Sequence, residues 1–572
     1  VRTSTVRRRA LVMTYQLSTH GTYLWRGGER LPVRRSERFF SVMPTHPSEL
    51  SVIQRMDGVV QVERLLPYVY RVEASGKDRR DLLMDRIREG SLPSIVYHTY
   101  KLEGSSTTFF ITDKVFVGFR SGTSVETIER LLGFWNLHLI SINPGEPPVC
   151  VVQVTLQSGV NPLKVANCLM GEACVEYAEP NLVHMLRPAG NVFTGMTGSF
   201  PKRWHLYAEQ RQVNLLPRSA IDVQSAWSIS KGVRDVVIAV LDAGFDLSNP
   251  AFQGEDKIAS TYHWEREFDS PPQHDLVVCH GTACAVAALA EEDEYGLVGV
   301  APGCSFLPAH IPWIVDDYRL MAIFSEVGQR ADVLSCSWGP PPSYAPLCTP
   351  MHQLLTRLAK EGGPRGNGCA ICFAAGNDNA PLLDRKNQEG VPYLDAQGDL
   401  KRATGPILNG FTNHPHVITV AASTSLARHA DYSNWGEAVC VCAPSSNFHP
   451  YDRRKFVPGL AVWTLGSEPA GFTPRSHFTH RCSGTSMAAP IVAGVIGLMR
   501  SAGPHLTTDQ IREILRSTAC RLVDSHPDVR GDRRGDYNEK GHSPWFGYGR
   551  VDAGKAVAMA ASASFMGDHS SA

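Results

Sequence analysis

Four residues of this chain have the types, and sit in the settings, that acyl transfer requires. Ser486 lies in Cys482-Ser483-Gly484-Thr485-Ser486-Met487-Ala488-Ala489-Pro490, where a polar segment gives way to the apolar run 491–499. Small residues on both sides let a helix begin at Ser486 and pass through a crowded core, with Pro490 in a first turn that needs no N–H donor. The free N–H groups and dipole of such a helix start favour developing negative charge. Asp242 follows an apolar run in Leu241-Asp242-Ala243-Gly244-Phe245-Asp246. His280 opens a run of small residues, His280-Gly281-Thr282-Ala283-Cys284-Ala285, and Asn377 ends an apolar run in Ala374-Ala375-Gly376-Asn377-Asp378. Each alone has an ordinary reading: a capping serine or aspartate, a core histidine, a turn asparagine. Together they complete one reaction. A serine hydroxyl is a poor nucleophile until a base takes its proton. Histidine does this near neutral pH when a carboxylate fixes its tautomer. A side-chain amide and the serine's own N–H then hold the oxyanion.

The elements that would position these groups are legible in the same region. Residues 236–241 form a continuous apolar strand, as in a sheet buried on both faces, and 331–337, 370–374 and 416–421 read alike. Helical segments alternate with them at 281–291, 351–360, 486–500 and 508–516. Alternating β and α predicts a mostly parallel sheet with helices on both faces. In such sheets the site lies at the carboxyl ends of the strands, where Asp242 and Asn377 fall.

The N-terminal third has a different pattern. Strands at 38–43, 59–66, 68–74 and 94–100 enclose helices at 48–56 and 78–89, and strands at 114–120, 137–142, 149–156 and 174–178 enclose helices at 124–136 and 162–170. Each pass is βαββαβ, the ferredoxin-like order. Thr123 with Glu126 reads as a capping box, and Asn161 before Pro162 as an N-cap followed by the first helical residue. Residues 1–37 are basic and without periodicity, expected as a solvated, frayed tail; 187–203 carry Gly and Pro without periodicity and read as a linker. The divisions expected are thus 1–37, a ferredoxin-like unit at 38–104, a second at 113–186, the linker 187–203, an α/β domain at 204–558 and a tail at 559–572.

Composition narrows the classes of partner. Lys+Arg and Asp+Glu both number 56, and this zero balance argues against nucleic acid. The apolar run after Arg9 spans only 10–13, too short for a signal or a membrane span. The chain starts at Val1, so a cytoplasmic and an exported protein both stay open. The 14 cysteines show no metal spacing: Cys369 and Cys372 point to opposite faces of a strand, and Cys440 with Cys442 lacks a second pair. Buried free thiols are expected.

The order Asp…His…Ser is the one found in subtilisin. Asp242 in Val-Leu-Asp-Ala-Gly, His280 in His-Gly-Thr, Asn377 in Ala-Ala-Gly-Asn and Ser486 in Gly-Thr-Ser-Met-Ala-Ala-Pro resemble the four signatures of subtilisin-like serine proteases, or subtilases. The resemblance spans 204–558 and includes Gly299-Val300-Ala301-Pro302, Val417-Ile418-Thr419-Val420-Ala421-Ala422 and Gly547-Tyr548-Gly549-Arg550-Val551-Asp552-Ala553. It implies a subtilisin-like three-layer α/β fold with a mostly parallel sheet, preceded by one or two ferredoxin-like domains. It assigns Asp242 to orient, His280 to act as base and acid, Ser486 to attack and Asn377 to stabilise the oxyanion. His274-Asp275 lies nearby without the motif and reads as a surface pair.

The unit at 113–186 ends in Val175-Glu176-Tyr177-Ala178-Glu179-Pro180-Asn181 and resembles a subtilase propeptide, implying a folding aid and inhibitor cut off in the linker. The unit at 38–104 has no such counterpart. Ser337, Trp338 and Gly339 resemble the substrate-binding segment, whose backbone adds a strand of substrate. The wording from Ser335 to Pro340 is similar to that of kexins. Pro341, Pro342, Ser343 and Tyr344 replace the acidic residues that follow it there, so dibasic specificity is not implied. Cys284 sits where proteinase K-like enzymes carry a thiol beneath the histidine.

The resemblance implies protein or peptide substrates and the chain's own propeptide as partners, without nucleic acid or membrane. It implies no metal or other cofactor in the chemistry, and it leaves structural calcium open. The competing reading is an inert protease scaffold used for binding or regulation. All four chemical residues are present, which speaks against it. A sedolisin-type arrangement would need an acidic residue at the position of Asn377.

Overall fold

The computed structural model describes residues 20–89, 94–143, 147–188, 203–207, 214–260, 262, 276–293, 296–452, 454–462, 464–465, 478–479, 483–527, 531 and 534–567. They form two compact units. The first comprises the chain up to Met185 with Ile314–Leu320 and Pro346–His352, and the second comprises the remainder.

The first unit is built on a ten-stranded sheet that contains the βαββαβ order twice. In the first copy, Glu29–Met43 lies between Val69–Ala74 and Ile95–Leu102, and Val59–Leu66 flanks Val69–Ala74, all antiparallel. Phe40, Val42, Ile53, Val72, Leu83, Met84 and Ile87 close its core. In the second, Thr108–Phe119 lies between Val149–Val154 and Val175–Met185, with Leu137–Asn143 outside Val149–Val154. Val115, Val117, Phe119, Ile128, Leu132, Val152, Val165 and Leu169 pack there. Both copies have the ferredoxin-like strand order.

Local signals explain the element ends. The Asn161 side chain accepts from Lys164 N–H at 2.9 Å, with Pro162 as the first helical residue; such a cap is worth about 1 kcal/mol. The other capping expectation is off by one residue. Ser124, not Thr123, caps helix Val125–Phe134 by accepting from Thr127 N–H, while the Thr123 hydroxyl donates to Arg120 O.

A larger departure concerns the expected tail, 1–37. Tyr23–Arg26 and Glu29–Met43 form an antiparallel hairpin closed by Gly27-Gly28, both at positive φ. A two-residue Gly-Gly loop between twisting strands is a strong hairpin signal. Leu24, Leu31 and Val33 are buried, as is Arg26, while Arg30 and Arg34 alternate with Leu31 and Val33 on the exposed face. Dense charge conceals the alternation.

The second unit contains a six-stranded, all-parallel sheet in the order Ser305–His310, Val237–Asp242, Val333–Cys336, Ala370–Ala374, Val417–Ser423, Val439–Pro444. The strands are buried almost throughout, which is why they read as unbroken apolar runs. Helices cover it, as the fold class predicts. Thr485–Ala502 runs through the core with residues 485–500 all buried. Among the described residues it is the one helix long and apolar enough to cross a membrane, and its burial marks it as a core element. Helix Ala553–Gly567 extends into the expected tail 559–572, because Ala553, Ala556, Val557 and Ala560 repeat at helical spacing on the core face. Twelve of the cysteines are seen to be free, and most of these are buried.

Candidate active site

Asp242 is the last residue of strand Val237–Asp242, fully buried, with its Oδ1 accepting from Ala243 N–H at 2.8 Å. His280 lies in helix Leu276–Leu289 and does not open it, as the sequence suggested, because Leu276-Val277-Val278-Cys279 contains no breaker and the helix starts earlier. Gly281 lets that helix press on the strand end: a Cβ there would meet Gly244 O at 2.3 Å and Asp242 Cβ at 2.9 Å. The imidazole is thereby seated with Nδ1 at 2.8 and 3.0 Å from the two Asp242 oxygens. Nδ1–H donates to the carboxylate, which leaves Nε2 to accept from Ser486 Oγ at 3.0 Å.

Ser486 is the second residue of helix Thr485–Ala502, which starts one residue before the expected position. Pro490 therefore stands in the second turn and not the first. Its missing N–H frees the carbonyl of Ser486 from the helix ladder. Ser337 Oγ donates to that carbonyl at 3.1 Å and Cys284 Sγ at 3.5 Å. The Ser486 hydroxyl is also within 3.1 Å of Ser337 O. The nucleophile candidate is thus tied to Ser337, which follows strand Val333–Cys336.

Asn377 follows strand Ala370–Ala374. Its Oδ1 accepts from Thr485 N–H and Thr485 Oγ1, both at 2.9 Å, so Nδ2 is the group it offers a ligand. A residue without any motif builds this corner. Asn434 Oδ1 accepts from Asp378 N–H at 2.9 Å and Ala380 N–H at 3.0 Å, and its Nδ2 donates to Ala375 O at 3.0 Å. Nothing in Ser433-Asn434-Trp435 signals this. Trp338 is wholly buried among Phe324, Phe373 and Phe411, with Nε1 donating to Leu241 O at 3.0 Å, so only its backbone can serve a ligand. The pair His274-Asp275 lies outside the described residues, as does Cys482.

Burial is the largest single influence on His280 and pushes its imidazolium down, but the Asp242 carboxylate, Cys284 and the hydrogen bonds to both together outweigh it and hold His280 well above the ordinary histidine range. Cys284 Sγ lies 4.0 Å from His280 Nδ1, and burial pushes its thiol up, so it stays protonated at neutral pH.

A buried carboxylate, an imidazole and a hydroxyl in one hydrogen-bonded line at the carboxyl ends of a parallel sheet is the class of site that serine hydrolases use. The model of the Subtilase family matches residues 233–549, more than half of the chain, and the chain belongs to that family of serine-type endopeptidases. It is similar to the calcium-dependent protease of a Nostoc species, 30% identical over 472 residues that cover 78% of this chain and 63% of that protein. The protein of the same name from Trichormus variabilis is 28% identical over 553 residues, 92% of this chain and 75% of that one. The chain thus spans between three fifths and three quarters of these relatives. Kexin of Saccharomyces cerevisiae is 26% identical over 369 residues, 63% of this chain and 39% of kexin. The fold matches the crystal structure of fervidolysin from Fervidobacterium pennivorans, with a TM-score of 0.52, 18% identity, and coverage of 80% of this chain and 62% of that one.

Proposed function

We propose that the chain is an endopeptidase that hydrolyses peptide bonds through an acyl-enzyme on Ser486. The observation that carries this reading is the unbroken line of hydrogen bonds from Asp242 through His280 to Ser486 Oγ. Ser486 Oγ attacks the peptide carbonyl as its proton passes to His280 Nε2, and Asp242 stabilises the imidazolium that forms. The oxyanion takes hydrogen bonds from Asn377 Nδ2 and the Ser486 N–H, which lies in a first helical turn that supplies no carbonyl for it. His280 returns the proton to the leaving amine, and water repeats the sequence on the ester. Backbone groups of Ser337, Trp338 and Gly339 hold the substrate as an added strand. Residues 113–186 act as propeptide, folding aid and inhibitor, with the cut in 187–203. Intact mass followed over time tests this: wild type divides in that segment while Ser486→Ala stays whole. Division of both at the same rate would contradict it.

The names of two relatives state calcium dependence. Among the described residues, the only group of three or more His, Cys, Asp and Glu side chains close enough to share an ion is Asp242, His280 and Cys284. These are committed to one another, and calcium is a poor match for a thiol and an imidazole. They do not fit calcium, and no step of the reaction runs through it.

Two variants probe the machinery around the serine. Asn377→Ala lowers kcat by about 10²–10³-fold with KM little changed, the usual loss for an oxyanion donor; a loss under about twofold would contradict the assignment. A mercurial inactivates the wild type by loading Cys284 beneath the imidazole, and Cys284→Ala resists it. Full activity after treatment, or equal sensitivity of the variant, would contradict that.

A further inference from the structure

Next to the candidate nucleophile, the chain lays two of its own residues along Ser337-Trp338-Gly339. Arg187–Pro188 pairs antiparallel with Trp338–Gly339, with Arg187 opposite Gly339 and Pro188 opposite Trp338. Leu186 N–H donates to Trp313 O at 2.7 Å on the other side. The direction of this pairing runs toward Ser337, whose carbonyl lies 3.1 Å from Ser486 Oγ. A peptide bound in this register presents the residue opposite Ser337 to the serine. The residue opposite Trp338 is then second before the cleaved bond, and the residue opposite Gly339 is third.

The third position has a built receptor. The Arg187 guanidinium pairs with Asp378, whose side chain is only 6% exposed, and donates to Leu394 O at 3.1 Å. It also lies 5.8 Å from the centroid of the Tyr393 ring, within cation–π range. Asp378 is locked from behind: its N–H donates to Asn434 Oδ1 and its carbonyl accepts from Tyr451 Oη, both at 2.9 Å. A cavity of about 280 Å³ opens here, lined by Asp378 and Asp395 among others. A carboxylate this buried is costly without a cationic partner. Any peptide that displaces Arg187 without bringing a cation leaves Asp378 in that state.

We propose that Asp378 is a specificity-determining residue that selects substrates with arginine third before the cleaved bond, the place held in this chain by Arg187. The proposal rests on Ser486 being the nucleophile. It differs from dibasic recognition, since the acidic group adjoins Asn377 and does not follow the Ser-Trp-Gly-Pro segment.

The test uses fluorogenic peptides of sequence Leu-X-Pro-Ala with a leaving amine after Ala, where X is Arg, Gln or Leu. The protein as purified is used, and a fluorophosphonate probe reports on Ser486 in parallel. Arg is expected to exceed Gln and Leu by on the order of 10- to 100-fold in kcat/KM, because only it pairs the buried carboxylate. Asp378→Asn brings the three rates within about threefold of one another, and Asp378→Lys turns the preference toward X = Glu. Equal hydrolysis of the three peptides by labelled wild type would overturn the proposal and leave the Ser486 reading standing, as would an unchanged ratio in Asp378→Asn. Absence of both labelling and hydrolysis in protein whose intact mass shows division within 187–203 would sink the Ser486 reading and this proposal with it.

Discussion

Ser486→Ala lowers kcat by on the order of 10⁶-fold, the largest single effect expected in this protein. The size follows from what is removed. Without Oγ there is no atom to form the acyl-enzyme, and His280 has no hydroxyl from which to take a proton. What survives is the oxyanion pocket and the substrate strand, worth about 10³–10⁴-fold over water. The fold is expected to tolerate the change. Alanine is the best helix former, and Ser486 stands in the first turn of helix Thr485–Ala502 with its backbone carbonyl held by Ser337 Oγ at 3.1 Å. A thermal melt within a few degrees of wild type separates lost chemistry from lost structure. A residual rate above about a hundredth of wild type, at matched stability, would remove Ser486 from the reaction.

Asp242→Asn carries the second largest effect, about 10⁴-fold in kcat. An asparagine amide turned toward Nδ1 donates where the carboxylate accepts, and so fixes the tautomer in which Nε2 carries the proton. That tautomer cannot accept from Ser486 Oγ. The substitution also has a pH signature. Activity requires neutral His280, so it falls as pH drops through the His280 pKa. Burial lowers that pKa, while the Asp242 charge, Cys284 and the hydrogen bonds to both together raise it further than burial lowers it, so the acid limb of kcat/KM lies above the ordinary histidine value of 6.5. Removing the charge takes away the largest of the raising contributions and leaves burial opposed mainly by Cys284, so the residual activity of Asp242→Asn has its acid limb at lower pH than wild type. A limb that stays in place would mean that another group titrates there.

Much of this site was legible because its chemistry sits where buried strands stop. Asp242 and Asn377 each follow an apolar run, and such runs occur where both faces of a sheet are covered. Ser486 was legible because the small residues around it suit no surface helix. The register of these groups was less so. Pro490 read as a first-turn residue, yet its function depends on lying one turn later, where it releases the Ser486 carbonyl to Ser337 and Cys284. The spacing of four residues from Ser486 to Pro490 sets this, whichever of Thr485 and Ser486 begins the helix.

Asn434 and Asp378 escaped for another reason. Asn434 acts on Ala375, Asp378 and Ala380 across more than 50 residues of chain, and Arg187 meets Asp378 across 191. No local pattern encodes such pairs. Strands Ser305–His310 and Val439–Pro444 went unread because Pro308 interrupts one and the alternating cysteines of the other resemble a ligand pair more than a strand. The N-terminal hairpin was hidden by arginines on its outer face.

The measurement that tests the central claim most directly is adduct mapping with a fluorophosphonate on a preparation that hydrolyses a peptide substrate. The account predicts one probe per chain, on the peptide that contains Ser486, with loss of activity in proportion to labelling, and no adduct in Ser486→Ala. Undiminished hydrolysis with Ser486 fully labelled, or inactivation with the adduct on a different residue, would contradict it.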